Sequence, residues 1–236
     1  MDDDKERSVY RYTNIAYVLD ALARKQLTLL DPKSWTDRND SLYVDLYRQY
    51  RKAGSVLAAC FTISNETFHH WHVFGGSSAG ACIEYKRSML ETYLDQHRGR
   101  GHDIRFEKVK YVTLPKLGTQ STLENLPFLK RWGFQAEKEY RVIVEADDDE
   151  LSTFNIPVPI AAIRRVVINP WLPDEVVQTL RQRINTMSDC ENVVVEHSSL
   201  IDNDVWKANG IRMVAGHLRA VDPVYEKLRK RSRRRA

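Results

Sequence analysis

The run Glu139-Tyr140-Arg141-Val142-Ile143-Val144-Glu145 constrains this chain more than any other segment. Its β-branched and aromatic residues predict the strongest strand of the sequence, with Tyr140, Val142 and Val144 packed on one side. Glu139 stands at the mouth of that strand and Glu137 two residues earlier, so both carboxylates can face one site. Shorter strands are predicted over residues 9–13, 27–30, 56–64, 81–85, 106–114, 154–158, 163–168 and 193–197. Helical spacing recurs at Ile15, Val18, Leu19 and Leu22 behind an Asn14 cap, at Leu42, Leu46 and Tyr50, and at Met89, Leu90, Tyr93 and Leu94. A further helix over 173–184 opens with proline and acidic residues, as the helix dipole favours. Residues 68–74 are rich in aromatics and histidine and run into a turn at Gly75-Gly76-Ser77-Ser78. Residues 115–126 read as a loop and 129–137 as a short helix or turn. Early helices and many short strands predict an α+β fold, not a doubly wound parallel sheet.

Length and charge bound the rest. The 236 residues suit one domain with appendages, predicted as an acidic extension over 1–8, a domain over 9–213, and a helix with a basic tail over 214–236. Lys227, Arg229, Lys230, Arg231, Arg233, Arg234 and Arg235 supply seven cations; removing them from the net charge of +4 leaves −3 on the remaining chain. The tail could touch nucleic acid, an acidic partner or a membrane surface, or be a solvated helix end. No apolar run approaches the roughly 18 residues that span a bilayer, and the charged start is not a signal peptide. Cys60, Cys82 and Cys190 are too scattered for a disulfide framework or a structural zinc, and each reads as a small buried thiol. These features predict a cytoplasmic protein without a membrane partner.

Several familiar chemistries are not signalled. The sequence has neither a Rossmann glycine fingerprint nor a phosphate loop. His69, His70 and His72 lack an acid or cysteine at familiar ligand spacing, so no metal site is expected. Three other segments carry polar groups in suggestive places. In Tyr10-Arg11-Tyr12, period-two alternation turns both tyrosines to one face and Arg11 to the other; an inward cation there would need an anionic partner. In Cys60-Phe61-Thr62-Ile63-Ser64, Thr62 and Ser64 share a face, where two hydroxyls can hold a ribose or a carboxylate. Glu137 and Glu139 could divide their roles, one stabilising positive charge and one orienting a nucleophile. Each segment also has a plain reading: a surface arginine, hydroxyls at a strand end, a charged strand edge.

Taken in order, arginine on an early strand, Thr-x-Ser on a middle one and Glu-x-Glu on a late one resemble the Arg-Ser-Glu class of ADP-ribosyltransferases. With residues 35–40, 71–82 and 132–142, the pattern also resembles a bacterial family catalogued only as a domain of unknown function. That resemblance covers roughly residues 9–200. It implies split antiparallel β-sheets with helices packed on the early half and NAD bound, as substrate, in the cleft between the sheets. By the same resemblance Arg11, with the adjoining Tyr12, would meet NAD's phosphate or ribose oxygens, and Thr62 and Ser64 would brace the cleft, Ser64 nearest the catalytic acid. Glu139 would stabilise the oxocarbenium ion as nicotinamide leaves, and Glu137 would help the acceptor attack. Trp71 or Phe74 would stack on nicotinamide or adenine. Substituting Glu139 is expected to leave stability near wild type. The acceptor would be a protein or a nucleic acid. A role as toxin or phage-defence effector, held by an antitoxin or regulatory protein, goes with the resemblance. Two other readings compete: a non-catalytic nucleotide- or nucleic-acid-binding module using the same cleft and the tail, and a metal-dependent nuclease in which His69–His72 would matter.

Overall fold

The computed structural model describes residues 8–75, 79–99, 101–147 and 150–215. Asn14 ends β1 (Ser8–Asn14) and caps α1 (Ile15–Arg24) by accepting the Tyr17 amide. Lys25 closes that helix in the left-handed region, at φ 53°, and the chain turns straight into β2 (Gln26–Leu30). Asp37 caps α2 (Arg38–Arg51), accepting the amides of Asn39 and Asp40. There follow β3 (Ser55–Thr62), α3 (Phe68–Phe74), β4 (Gly80–Lys86), α4 (Arg87–Gln96), β5 (His102–Lys108), β6 (Lys110–Val112) and α5 (Leu117–Gln120). Next come β7 (Leu129–Arg131), β8 (Glu139–Ala146), β9 (Thr153–Pro157), β10 (Ile163–Ile168), α6 (Asp174–Asn185) and β11 (Val194–His197). The chain divides after His197 into two compact units, and the second carries α7 (Asp204–Ala215). The basic tail and the Gly76–Ser78 part of the predicted turn lie outside the described residues.

The sheet divides at β3. Along one edge β8 pairs with all of it, from Ser55 opposite Ala146 to Thr62 opposite Glu139, and β5 flanks β8. Along the other edge β3 meets two different strands, β2 at Leu30–Ala58 and β1 at Tyr10–Thr62. β2 continues to β9, whereas β1 continues to β4, β10 and β11, and among the described residues β10–β11 is the one parallel pair of this sheet. Two antiparallel groups therefore share β3 and part from it at β1. This is an α+β fold with a split antiparallel sheet.

Alternation along the strands builds two unlike faces. Val9, Phe61, Ile83, Tyr85, Tyr140, Val142 and Val144 enter the main core, covered by Val18 and Leu22 of α1 and Leu90 and Leu94 of α4. The opposite face is covered in two patches. Val44 and Tyr47 of α2 pack with Val56, Ala58 and Ile143 over β3 and β8, while Trp71 of α3 packs with Cys82 and Val167 over β4 and β10. The floor between the patches stays open.

Three sequence expectations are corrected here. The helix at 38–51 forms, but Leu42, Leu46 and Tyr50 are exposed and Asp40, Val44 and Tyr47 are buried instead. Polar partners outweigh the leucine stripe: the Tyr47 hydroxyl donates to Glu145 at 2.5 Å, and Asp40 meets buried cations. The single strand expected at 106–114 is two, β5 and β6, interrupted at Val109, whose amide turns to the Glu139 carbonyl. Residues 129–137 combine a three-residue strand with a 3-10 turn that ends on Lys138 at φ 44°.

Candidate active site

The open floor is the base of a cleft of about 400 Å³. Register alone aligns its floor: Tyr10, Thr62 and Glu139 are neighbours across β1, β3 and β8, with Tyr12 and Cys60 two residues along their strands. The loop before α2 supplies one wall through Trp35 and Asp37, and α3 supplies another through His70, Val73 and Phe74. Lys130, Phe134 and Glu137 close the third side.

Five charged groups crowd one end of the cleft, each with at most 9% of its side chain exposed. Arg141 lies fully buried at their centre. It donates to both oxygens of Glu139, at 2.7 and 2.9 Å, and to both of Asp40, at 2.8 and 2.7 Å, and its remaining bond goes to the Pro127 carbonyl. The Trp35 ring lies 4.6 Å from the guanidinium carbon, a cation–π contact. Lys130 completes the set, 2.6 Å from Glu137, 3.3 Å from Glu139 and 3.4 Å from Asp40. Three carboxylates face two cations, so the group carries a net single negative charge.

The two glutamates respond in opposite directions. Burial by itself would raise both carboxyls. At Glu139 the Arg141 guanidinium, aided by Lys130, overrides burial and brings the pKa down to about 2. At Glu137 burial prevails over Lys130, and the pKa is raised. Glu139 is thus a fixed anion with both oxygens engaged. Glu137 bonds through Oε2, and its Oε1 has no partner among the described residues.

The backbone of Glu137 is pinned from two sides. Its carbonyl accepts the Thr62 hydroxyl at 2.7 Å and His70 Nε2 at 3.2 Å. That tautomer leaves His70 Nδ1 to accept from the Thr67 hydroxyl at 2.6 Å. Burial lowers the His70 pKa, which keeps the ring neutral in this bracing role.

Of the residues expected at the site, Glu137, Glu139, Thr62, Tyr12 and Phe74 line the cleft. Three do not. Arg11 occupies the opposite face, as alternation requires once Tyr10 and Tyr12 take the floor; it donates to the Thr28 carbonyl at 2.9 Å and lies 6.0 Å from the Phe61 ring centre. Ser64 lies past the end of β3, and its amide donates to the Thr62 hydroxyl, which leaves Thr62 alone as the brace. Trp71 is fully buried beneath Tyr12, edge to face at 4.9 Å, and its Nε1 is spent on Glu66, so no face is left for a ligand. Cys60, expected as a buried thiol, is exposed at the cleft floor. Sequence reasoning missed Arg141, Asp40, Lys130 and His70 as site residues. Arg141 had a signal, two residues beyond Glu139 on the same face of one strand. Asp40 fell within the 35–40 segment of the resemblance but, as an acid in a first helical turn, was given no role, and Lys130 had no signal, since a lone lysine is an ordinary surface residue.

No protein-family model and no curated protein matches the chain. Among solved structures it is similar to DarT of Thermus sp. 2.9 in complex with ADP-ribosylated ssDNA, at 13% identity and a TM-score of 0.42 over 82% of this chain and 94% of that one. The same protein in complex with NAD+ gives 10% identity and a TM-score of 0.43, and with carba-NAD+ 10% and 0.41, each over 82% of this chain and 96% of that one. A likeness this distant says nothing of activity. Among the described residues no group of histidines, cysteines and carboxylates is arranged to hold a metal ion, and no helix is long and apolar enough to cross a membrane.

Proposed function

We propose that this cleft binds NAD and that the chain transfers its ADP-ribose group to a macromolecular acceptor, protein or nucleic acid. One observation carries the reading: a buried network of net negative charge lines the cleft through Glu137 and Glu139, and Glu137 keeps one oxygen, Oε1, without a partner among the described residues, beside aromatic walls that suit a planar base. When the glycosidic bond breaks, its electron pair leaves with nicotinamide and the ribose becomes an oxocarbenium ion. A preorganised carboxylate in a dry site stabilises that ion. Glu137 faces the sugar in this reading, and Glu139 acts as a positioning residue that fixes Arg141 and Lys130. Both roles that the resemblance divided between the two acids thus fall to Glu137. An acceptor nucleophile then bonds to the sugar carbon and releases its proton to Glu137, whose raised pKa suits a base. A transferase acting on cellular macromolecules fits a toxin or defence effector restrained by an inhibitory protein.

Nicotinamide release and acceptor labelling, measured separately, test this. Glu137→Gln should lower release on the order of 100- to 1000-fold. Release unchanged in a folded Glu137→Gln protein removes Glu137 from the chemistry. The neutralisation of Glu139 by Arg141 favours a second reading, in which the cleft recognises a nucleotide without cleaving it. NAD bound by the wild type but never cleaved selects that alternative.

A further inference from the structure

The cleft leaves a charge problem unsolved. A dinucleotide brings a doubly anionic pyrophosphate, yet the five buried groups already sum to a net negative charge, and both cations among them are committed to carboxylates. Arg11, the cation that the resemblance assigned to phosphate, faces the main core. Like charge at such range costs binding instead of aiding it.

A second groove, of about 430 Å³, adjoins the cleft and shares Tyr10 with it. Arg87, Lys108 and Arg164 line it, against one carboxylate, Glu84. Glu84 is itself well satisfied: Ser8 Oγ donates to it at 2.5 Å, Arg165 Nε at 2.6 Å, and Arg164 stands farther off at 3.4 Å. Arg87 is held by Glu91 at 2.7 Å and against the Tyr140 ring, which fixes its position without filling all its donors. Lys108 makes no ion pair among the described residues. The ten-residue helix α4 begins at Arg87, with no side-chain cap on its amides and no acid in its first turn. First-turn amides without a cap add donors and a positive dipole end to the three cations. Tyr10 is two strands from Glu139 in register, roughly 10 Å at usual strand spacing. That is about one ribose phosphate from the Glu137–Glu139 end of the cleft.

We infer that the Arg87–Lys108–Arg164 groove is an anion site that takes the pyrophosphate of the dinucleotide, with Tyr10 as the sill between phosphates and reacting sugar. The inference rests on the NAD reading for its ligand, but not for the anion site itself. Calorimetric titrations with inorganic pyrophosphate and with NAD, at one ionic strength, test both. The proteins are the wild type, the pair Lys108→Gln/Arg164→Gln, and a control with the same charge change elsewhere, Lys33→Gln/Lys116→Gln. The groove pair should weaken pyrophosphate and NAD at least about tenfold each, and the control should weaken neither. Lys108→Glu, a reversal at an exposed side chain, should show the same loss and serves if the pair folds poorly. Pyrophosphate bound by the wild type and lost in the groove variants, with NAD bound by none, upholds the anion site and ends the NAD reading. Equal pyrophosphate affinity in wild type and groove variants overturns the inference, as does NAD affinity unchanged where pyrophosphate binding is lost.

Discussion

Replacing Glu139 with glutamine should destabilise this protein substantially, contrary to the expectation for an ordinary active-site acid at a strand mouth. The carboxylate is 5% exposed, and both its oxygens are bonded to a fully buried guanidinium. Glutamine keeps the shape but turns an amide toward Arg141, so one buried donor faces another. The size of the loss follows from linkage: folding moves the Glu139 pKa from 4.5 to about 2. At about 1.4 kcal/mol per unit, this corresponds to about 3–4 kcal/mol, within the range for breaking a buried ion pair. For a domain of this size the melting temperature should fall by roughly 6–12 °C. The sign is testable as well. A depressed carboxyl contributes its full stability above its unfolded value and loses it as pH falls toward the folded one. The gap between wild type and Glu139→Gln should therefore be full at pH 7, shrink below pH 4.5 and close near about 2. Glu137, whose pKa is raised, gives the opposite sign, so Glu137→Gln should melt near or above wild type at pH 7. Urea unfolding of both variants between pH 7 and pH 3 is the assay. A Glu139→Gln protein within about 0.5 kcal/mol of wild type at pH 7, or a gap that ignores pH, would refute the reasoning.

Chelators should spare nicotinamide release, because Lys130 and Arg141 already hold the three carboxylates; activity lost to EDTA and restored by zinc or magnesium would point to the nuclease reading. Gly80→Ala should cost about 1–3 kcal/mol by urea unfolding, since a Cβ there would lie 1.9 Å from the Gly75 carbonyl oxygen; a neutral variant would contradict that close approach. Leu46→Ser on α2 should leave stability within about 0.5 kcal/mol, whereas Val44→Ala should lower it measurably, because only Val44 is buried. Deleting residues 227–236 should flatten the salt dependence of nucleic-acid binding in a filter assay, as seven cations are lost, and an unchanged slope would leave the tail a solvated end.

The amino-acid sequence alone determined the elements and the sidedness of the strands. Period-two alternation placed Tyr10 and Tyr12 together and apart from Arg11, set Glu139 opposite Tyr140 and Val142, and marked β8 as the strongest strand, because these preferences act between near neighbours. It could not determine which face of each strand would border a cleft, and so it matched Arg11 to a ligand when the tyrosines held the floor. Nor could it reveal that Asp40, Lys130 and Arg141, scattered over a hundred residues, neutralise one another beside Glu139. The leucines of α2 failed as a guide for the same reason: helical spacing fixes which residues share a face, and the polar partners across the fold decide which face is buried. Only tertiary structure brings such charges within bonding distance, and at that distance burial and pairing, not residue type, set which glutamate is locked and which is left open to the cleft.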